Sequence, residues 1–121
     1  MSGRVLVTGS RTWTDTTPIR DALETWRRRL PGAVLVHGDA RGADRIAAGI
    51  WRSWGLPVEP HPADWARYGR SAGHVRNRAM VARGATVCLV FIRNASPGAS
   101  ACAALAEAAG IPTHRTEQGN P

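Results

Sequence analysis

The sequence predicts an α/β fold: one three-layer domain with an open, mainly parallel sheet of about five strands and helices on both faces. Three observations predict it. Short, β-branched apolar runs alternate with amphipathic segments of helix length, which is the pattern of βαβ units. The segment Thr86–Ile92 (TVCLVFI) is apolar along nearly its whole length, as a strand covered on both faces must be. The helix-like segments close on Gly or Pro-Gly, where helices stop. Right-handed crossovers then place helices on both sides of the sheet.

The elements follow in order. Arg4–Thr8 (RVLVT) reads as a buried strand ending at Gly9. Thr17–Leu30 carries Ile19, Leu23, Trp26 and Leu30 on one face, with Thr16 or Thr17 as N-cap and Pro31-Gly32 as the stop. Ala33–His37 is a second strand and Ala43–Trp54 a second helix, closed by Gly55. Pro57–Glu59 suggests a short third strand. The stretch His61–Ala72 looks irregular, and Gly73–Arg83 forms a third helix. After the fourth strand, Thr86–Ile92, comes a small-residue helix at Gly98–Ala109 and a last strand at Ile111–Arg115. Thr116–Pro121 reads as a polar, frayed tail. The domain is therefore expected over 1–116, with 117–121 as the tail.

Composition narrows the function classes. The chain has 121 residues and a net charge of +7, and all 16 of its basic residues are Arg. Such a charge favours phosphate-bearing partners. No apolar run approaches the roughly 20 residues of a membrane span, and no signal peptide is expected. Cys88 and Cys102 are too few for a disulfide framework and sit among small apolar residues, so buried, reduced thiols are expected. No His pair has metal-ligand spacing. The chain is thus expected to be cytoplasmic, with no membrane contact, no metal and no cofactor.

In an open α/β sheet, ligands bind beyond the carboxyl ends of the strands. Three loops there are unusual: Gly9-Ser10-Arg11-Thr12-Trp13, Gly38-Asp39-Ala40-Arg41-Gly42-Ala43-Asp44, and Asn94-Ala95-Ser96-Pro97-Gly98-Ala99-Ser100. Each has Gly, which admits close backbone approach, together with hydroxyl or Arg side chains. Two of them open helices, whose first amides favour phosphate. Arg76 and Asn77, early on the third helix, add a guanidinium fork and an amide on the same rim. Trp13 is placed to stack on a base. Trp65 and Tyr68 either stack or cover a sheet edge, while Trp26, Trp51 and Trp54 read as packing residues. Asp44 caps the second helix or bonds a ribose hydroxyl, and His37 reads as a rim or core residue. The ligand-binding set is therefore Gly9, Ser10, Arg11, Trp13, Gly38, Arg41, Gly42, Asp44, Arg76, Asn77, Ser96, Gly98, Ala99 and Ser100. No P-loop is present, since the chain has no Lys, and there is no G-x-G-x-x-G fingerprint.

Taken in order, V-T-G-S-R-x-W (Val7–Trp13), H-G-D-A-R-G-A-D (His37–Asp44) and P-A-D-W (Pro62–Trp65) resemble the YspA-like branch of the SLOG superfamily. So do Y-G-x-x-A-G (Tyr68–Gly73), R-N-x-x-M (Arg76–Met80) and S-x-G (Ser96–Gly98). The resemblance implies a Rossmann-like domain and a nucleotide-type ligand held at Ser96–Ser100 near Arg76. Relatives in that superfamily include the Lonely Guy phosphoribohydrolases, the DNA-processing protein DprA and sensors of ADP-ribose derivatives. The hydrolases' R-K-x-x-M and P-G-G-x-G-T-x-x-E motifs are matched only in part. Asn77 stands for the Lys, Ala99 for the Thr and Cys102 for the catalytic Glu.

Glycoside cleavage needs a carboxylate near the cationic sugar, and here only Asp44 or Asp64 would substitute. The expected function is binding of a nucleotide or ADP-ribose-like phosphorylated ligand, as a sensor or sequestering module. Nucleotide N-glycoside hydrolysis and DprA-like single-stranded nucleic-acid binding are the alternatives. The small-residue last helix and exposed Trp point to a homo-oligomer.

Overall fold

A computed structural model describes residues 3–118. Five strands, β1 (Arg4–Gly9), β2 (Val34–His37), β3 (Val58–Pro60), β4 (Val87–Arg93) and β5 (Thr113–Gln118), form one sheet in the order β3-β2-β1-β4-β5. Every pairing is parallel. Helices α1 (Thr16–Arg29), α2 (Ala43–Ser53), α4 (Ala72–Ala82) and α5 (Pro97–Ala108) cover the two faces. The short α3 (Trp65–Tyr68) runs through a 3-10 turn at Gly69–Ser71 into α4. The open, parallel α/β architecture is the one that the alternating pattern implies.

Strand alternation sends side chains to two cores. Val5, Val7, Leu35, Leu89 and Phe91 pack with Ile19 and Leu23 of α1 and with Ala47 and Trp51 of α2. Leu6, Val36, Cys88, Val90 and Ile92 pack with Met80 of α4 and with Cys102, Ala103 and Ala106 of α5. The sheet is buried on both sides, which is why β4 is so uniformly apolar. Both cysteines are free and buried, and burial raises both thiol pKa values, so neither is poised as a nucleophile.

Several boundaries differ from expectation for local reasons. The N-cap of α1 is Asp15, whose carboxylate accepts the Thr17 N–H at 3.1 Å, rather than Thr16 or Thr17. The last three Arg of α1 lie where they complement the helix dipole. The stretch expected as irregular contains α3, capped by Asp64 at the Arg67 N–H (3.1 Å). Four residues are too few to show a periodicity. β5 begins at Thr113 and continues through Gln118, pairing Thr116, Glu117 and Gln118 with Phe91, Ile92 and Arg93. Residues 116–118 are thus strand rather than frayed tail. An edge strand holds by backbone bonds while its side chains stay polar. Residues 119–121, the rest of the expected tail, lie outside the described residues.

Arg4 ties three segments together near the opposite end of the sheet. Its guanidinium donates to Glu59 at 3.1 and 2.9 Å and to the Gly84 carbonyl at 3.1 Å. His61 Nε2 lies 2.6 Å from the same carboxylate. The Arg4 hydrogen bonds first, then His61, hold the Glu59 carboxyl down at about 2. A carboxylate depressed in the fold stabilises it above its unfolded value of 4.5 and loses that contribution as pH falls toward 2. The pair is partly exposed, so the contribution is of order 0.2–1 kcal/mol. Thermal melts should show a smaller loss of stability from about pH 5 to pH 3 in Glu59→Gln than in the wild type. Equal losses would remove this pair from the acid response.

Candidate functional site

The chain reverses its direction of winding between β1 and β4, which are neighbours in space but far apart in sequence. At such a switch point the loops that follow the two strands diverge and leave a crevice. Here the crevice is a cleft of about 430 Å³. That lies within the range typical of small-ligand sites.

Tight packing shapes its floor. A Cβ on Gly9 would stand 2.4 Å from Ala43 Cβ and 2.6 Å from the Phe91 carbonyl oxygen. Gly9 therefore lets β1, β4 and the start of α2 converge. Gly42, the N-cap of α2, has φ +77° and would place a Cβ 2.3 Å from the Ser10 carbonyl oxygen. The Ser10 hydroxyl accepts the Arg93 N–H at 2.8 Å and donates to the Arg93 carbonyl at 3.3 Å. These bonds splice the ends of β1 and β4.

One wall is the start of α5. Asn94 and Ala95 have φ of +55° and +52°, so the loop turns sharply before the helix. Ser96 is the N-cap, but its side chain makes no capping bond and Pro97 has no N–H. The first-turn amides of Gly98 and Ala99 have no carbonyl partner within the helix, and both residues line the cleft. The opposite wall is α4. Arg76 donates from Nη1 to the Gly38 carbonyl and from Nε to Asn77 Oδ1 at 2.7 Å. Trp65, 51% exposed, stands at the mouth with the Arg11 guanidinium 5.6 Å from its ring centre.

Asp44 occupies the floor. It is only 4% exposed, and Oδ2 accepts the Gly38 N–H at 2.8 Å. Oδ1 is buried and has no hydrogen-bond partner among the described residues. Burial pushes the carboxyl up to about 6, against the opposing pull of the Gly38 amide, the Arg76 guanidinium and the Ala40 amide. A buried acceptor without a donor costs free energy in the empty fold. It is the kind of group that a ligand donor completes.

The residues expected at the site divide into three groups. Gly9, Arg11, Asp44, Arg76, Asn77, Ser96, Gly98 and Ala99 line the central cleft. Gly38 and Arg41 line an adjoining lobe. Trp13, Ser10, Gly42 and Ser100 line neither. Trp13 is 1% exposed, edge-on to Phe91, and its indole N–H bonds the Asp15 carbonyl at 2.6 Å. It is a core residue, and the exposed ring at the mouth is Trp65. Ser10 and Gly42 are committed to the packing described above, and Ser100 lies a turn into α5 with its amide bonded to the Ser96 carbonyl.

Asp44 does not cap α2; its bond goes back to Gly38 in the preceding loop. His37 is buried, as its place in the strand suggests, and burial lowers its pKa. Arg70 and His74 also line the cleft and were not anticipated. Arg70 lies three residues before Gly73 and His74 three before Asn77, and that spacing was the available signal.

The family described as YAcAr (YspA, cpYpsA-related SLOG family) matches residues 3–68. The chain is 50% identical over 115 residues to the Gene 61 protein of Mycobacterium phage D29, covering 90% of this chain and 92% of that protein. No solved structure gives a significant match.

Proposed function

The chain belongs to the YspA, cpYpsA-related SLOG family, a nucleotide-related Rossmann-like group, and from that premise we propose that its cleft binds a nucleotide or ADP-ribose-like phosphorylated ligand without turning it over. The observation that carries this reading is Asp44, a buried carboxylate on the cleft floor with one unpartnered oxygen. Above pH 6 it is an anion that accepts a ribose hydroxyl. The Gly98 and Ala99 amides, at the positive end of α5, suit the phosphate. Arg76 and Arg70 add charge on the opposite wall. Trp65 offers a face for the base. As a binding module the protein would sense or sequester its ligand.

Two features weigh against turnover of the phosphoribohydrolase kind. The position where those enzymes carry their Glu is Cys102, which is fully buried. Glu107 is spent on Arg115 at 2.6 Å. One observation favours hydrolysis as a second reading: a carboxyl raised to about 6 is suited to general-acid work.

Thermal shift with AMP, GMP, ADP-ribose, NAD and a short single-stranded oligonucleotide tests the binding. A ligand at 100 times its dissociation constant adds about 2.7 kcal/mol, several degrees for a domain of this size. Chromatography of the same mixtures for free base decides between binding and hydrolysis. No shift with any nucleotide would overturn the proposal, and stoichiometric release of base would replace it with the second reading.

Gly98 gives a residue-level test. A Cβ there would meet nothing within 4 Å, so Gly98→Val leaves the fold intact while filling the approach to the first-turn amides. The expected result is loss of the ligand-induced shift with an unchanged melting temperature of the free protein. A retained shift would remove the α5 amides from the site.

A further inference from the structure

The central cleft does not end at Arg76. A second lobe of about 340 Å³ opens beside it, over the carboxyl ends of β2 and β3. The two lobes share Arg11, Ala40, Trp65 and Arg76, so the Arg11–Trp65 contact forms a ridge between them. Charge is strongly one-sided in the second lobe: Arg11, Arg41, Arg45 and Arg76 face it, against one carboxylate, Asp39. Asp39 lies 3.5 Å from Arg45 and offsets that charge, which leaves Arg11, Arg41 and Arg76 as the net positive charge of the lobe. Arg76 is committed through Nη1 and Nε to Gly38 and Asn77, which fixes the guanidinium between the lobes. In the proposed binding mode a mononucleotide has its phosphate at α5 and its sugar at Asp44, both in the central lobe, and makes no use of Arg41 or Arg45.

We propose that the Arg11–Arg41–Arg45 lobe is a second anion subsite, and that the ligand is a nucleotide with a second phosphoryl-bearing unit rather than a mononucleotide. The inference rests on the nucleotide reading of the central cleft. Such a ligand crosses the ridge, stacks on Trp65 and places a phosphate in each lobe. Arg suits this task because its fork binds phosphate oxygens in pairs.

Calorimetric titration of the full chain with AMP, adenosine 3′,5′-bisphosphate and 5′-phosphorylated diadenylate, whose two phosphates are separate, tests it at 50 and 200 mM salt. The two-phosphate probes should bind at least tenfold more tightly than AMP, with the steeper salt dependence. In the Arg41→Ala/Arg45→Ala double variant, both altered side chains are exposed, so the fold is kept. That variant should bring the two-phosphate probes down to near the affinity of AMP while changing AMP itself less than threefold.

Equal affinities for AMP and both two-phosphate probes in the wild type would overturn the second subsite and leave the nucleotide reading standing. A uniform loss across all three probes in the variant would do the same, since it would make the Arg pair a general field. Absence of binding by every probe would overturn both. A ten-nucleotide single strand that binds far more tightly than the diadenylate would assign the lobe to nucleic acid and overturn the small-ligand proposal.

Discussion

Asp44→Asn is expected to stabilise the free protein at pH 8 and to abolish nucleotide binding in the same sample. The wild-type carboxyl is buried and raised from 3.8 to about 6. For a carboxylate raised in the fold, the contribution to stability is fully present below 3.8 and is lost as pH rises through 6. At pH 8 the side chain is an ion in a poorly solvated place, at a cost of about 3 kcal/mol, an upper figure. Asparagine keeps an acceptor for the Gly38 N–H and carries no charge. Thermal melts should therefore show a gain at pH 8 that vanishes near pH 4.

Binding responds in the opposite sense. In the proposed binding mode a ribose hydroxyl donates to the anion, so wild-type affinity should fall by up to tenfold per pH unit below 6, and Asp44→Asn should bind weakly at every pH. A merely structural Asp44 would give the reverse pattern, with stability unchanged or lowered at pH 8 and binding retained. Stability withheld at one buried group in exchange for a ligand contact is a common mark of a functional site.

Arg76→Ala should weaken nucleotide binding more than tenfold, about 1.4 kcal/mol, measured by calorimetry at constant salt. The guanidinium lines both lobes, and its loss removes the bond that holds the Gly38 carbonyl together with the charge-assisted phosphate contact of the proposed binding mode. Arg76→Lys separates the two roles. Lysine restores charge without the fork, so affinity should recover only in part. Full recovery with Lys would mean that charge alone matters there. Unchanged affinity in Arg76→Ala with an intact fold would take the residue out of the site.

The sheet was legible because its strands are buried on both faces, and two-sided burial writes itself as unbroken apolar runs such as Val87–Ile92. The helices were legible through their periodicity and glycine stops. The end of β5 was not legible because Thr116, Glu117 and Gln118 are polar, and an edge strand is held by backbone bonds that side-chain chemistry does not record. The loops were recognised as a group, since Gly, Ser and Arg after consecutive strands are unusual together.

Individual roles within the loops were harder to read. Trp13 and Ser10 look like ligand residues from their place after β1, but burial against Phe91 and a splice to Arg93 claim them. Asp44 looks like an ordinary helix cap. Only its fold-back to Gly38, which leaves a buried oxygen without a partner at the cleft floor, reveals another use.

The most direct test of the cleft as the nucleotide site is amide chemical-shift mapping, well suited to a 13.0 kDa chain. Titration with AMP at pH 7.5 should move the amides of Gly38, Ala40, Gly98 and Ala99 and the indole of Trp65, leaving the α1 face still. Shifts centred elsewhere, for instance on the His74–Arg78–Leu105 groove between α4 and α5, would contradict the account, as would an unmoved spectrum at millimolar nucleotide.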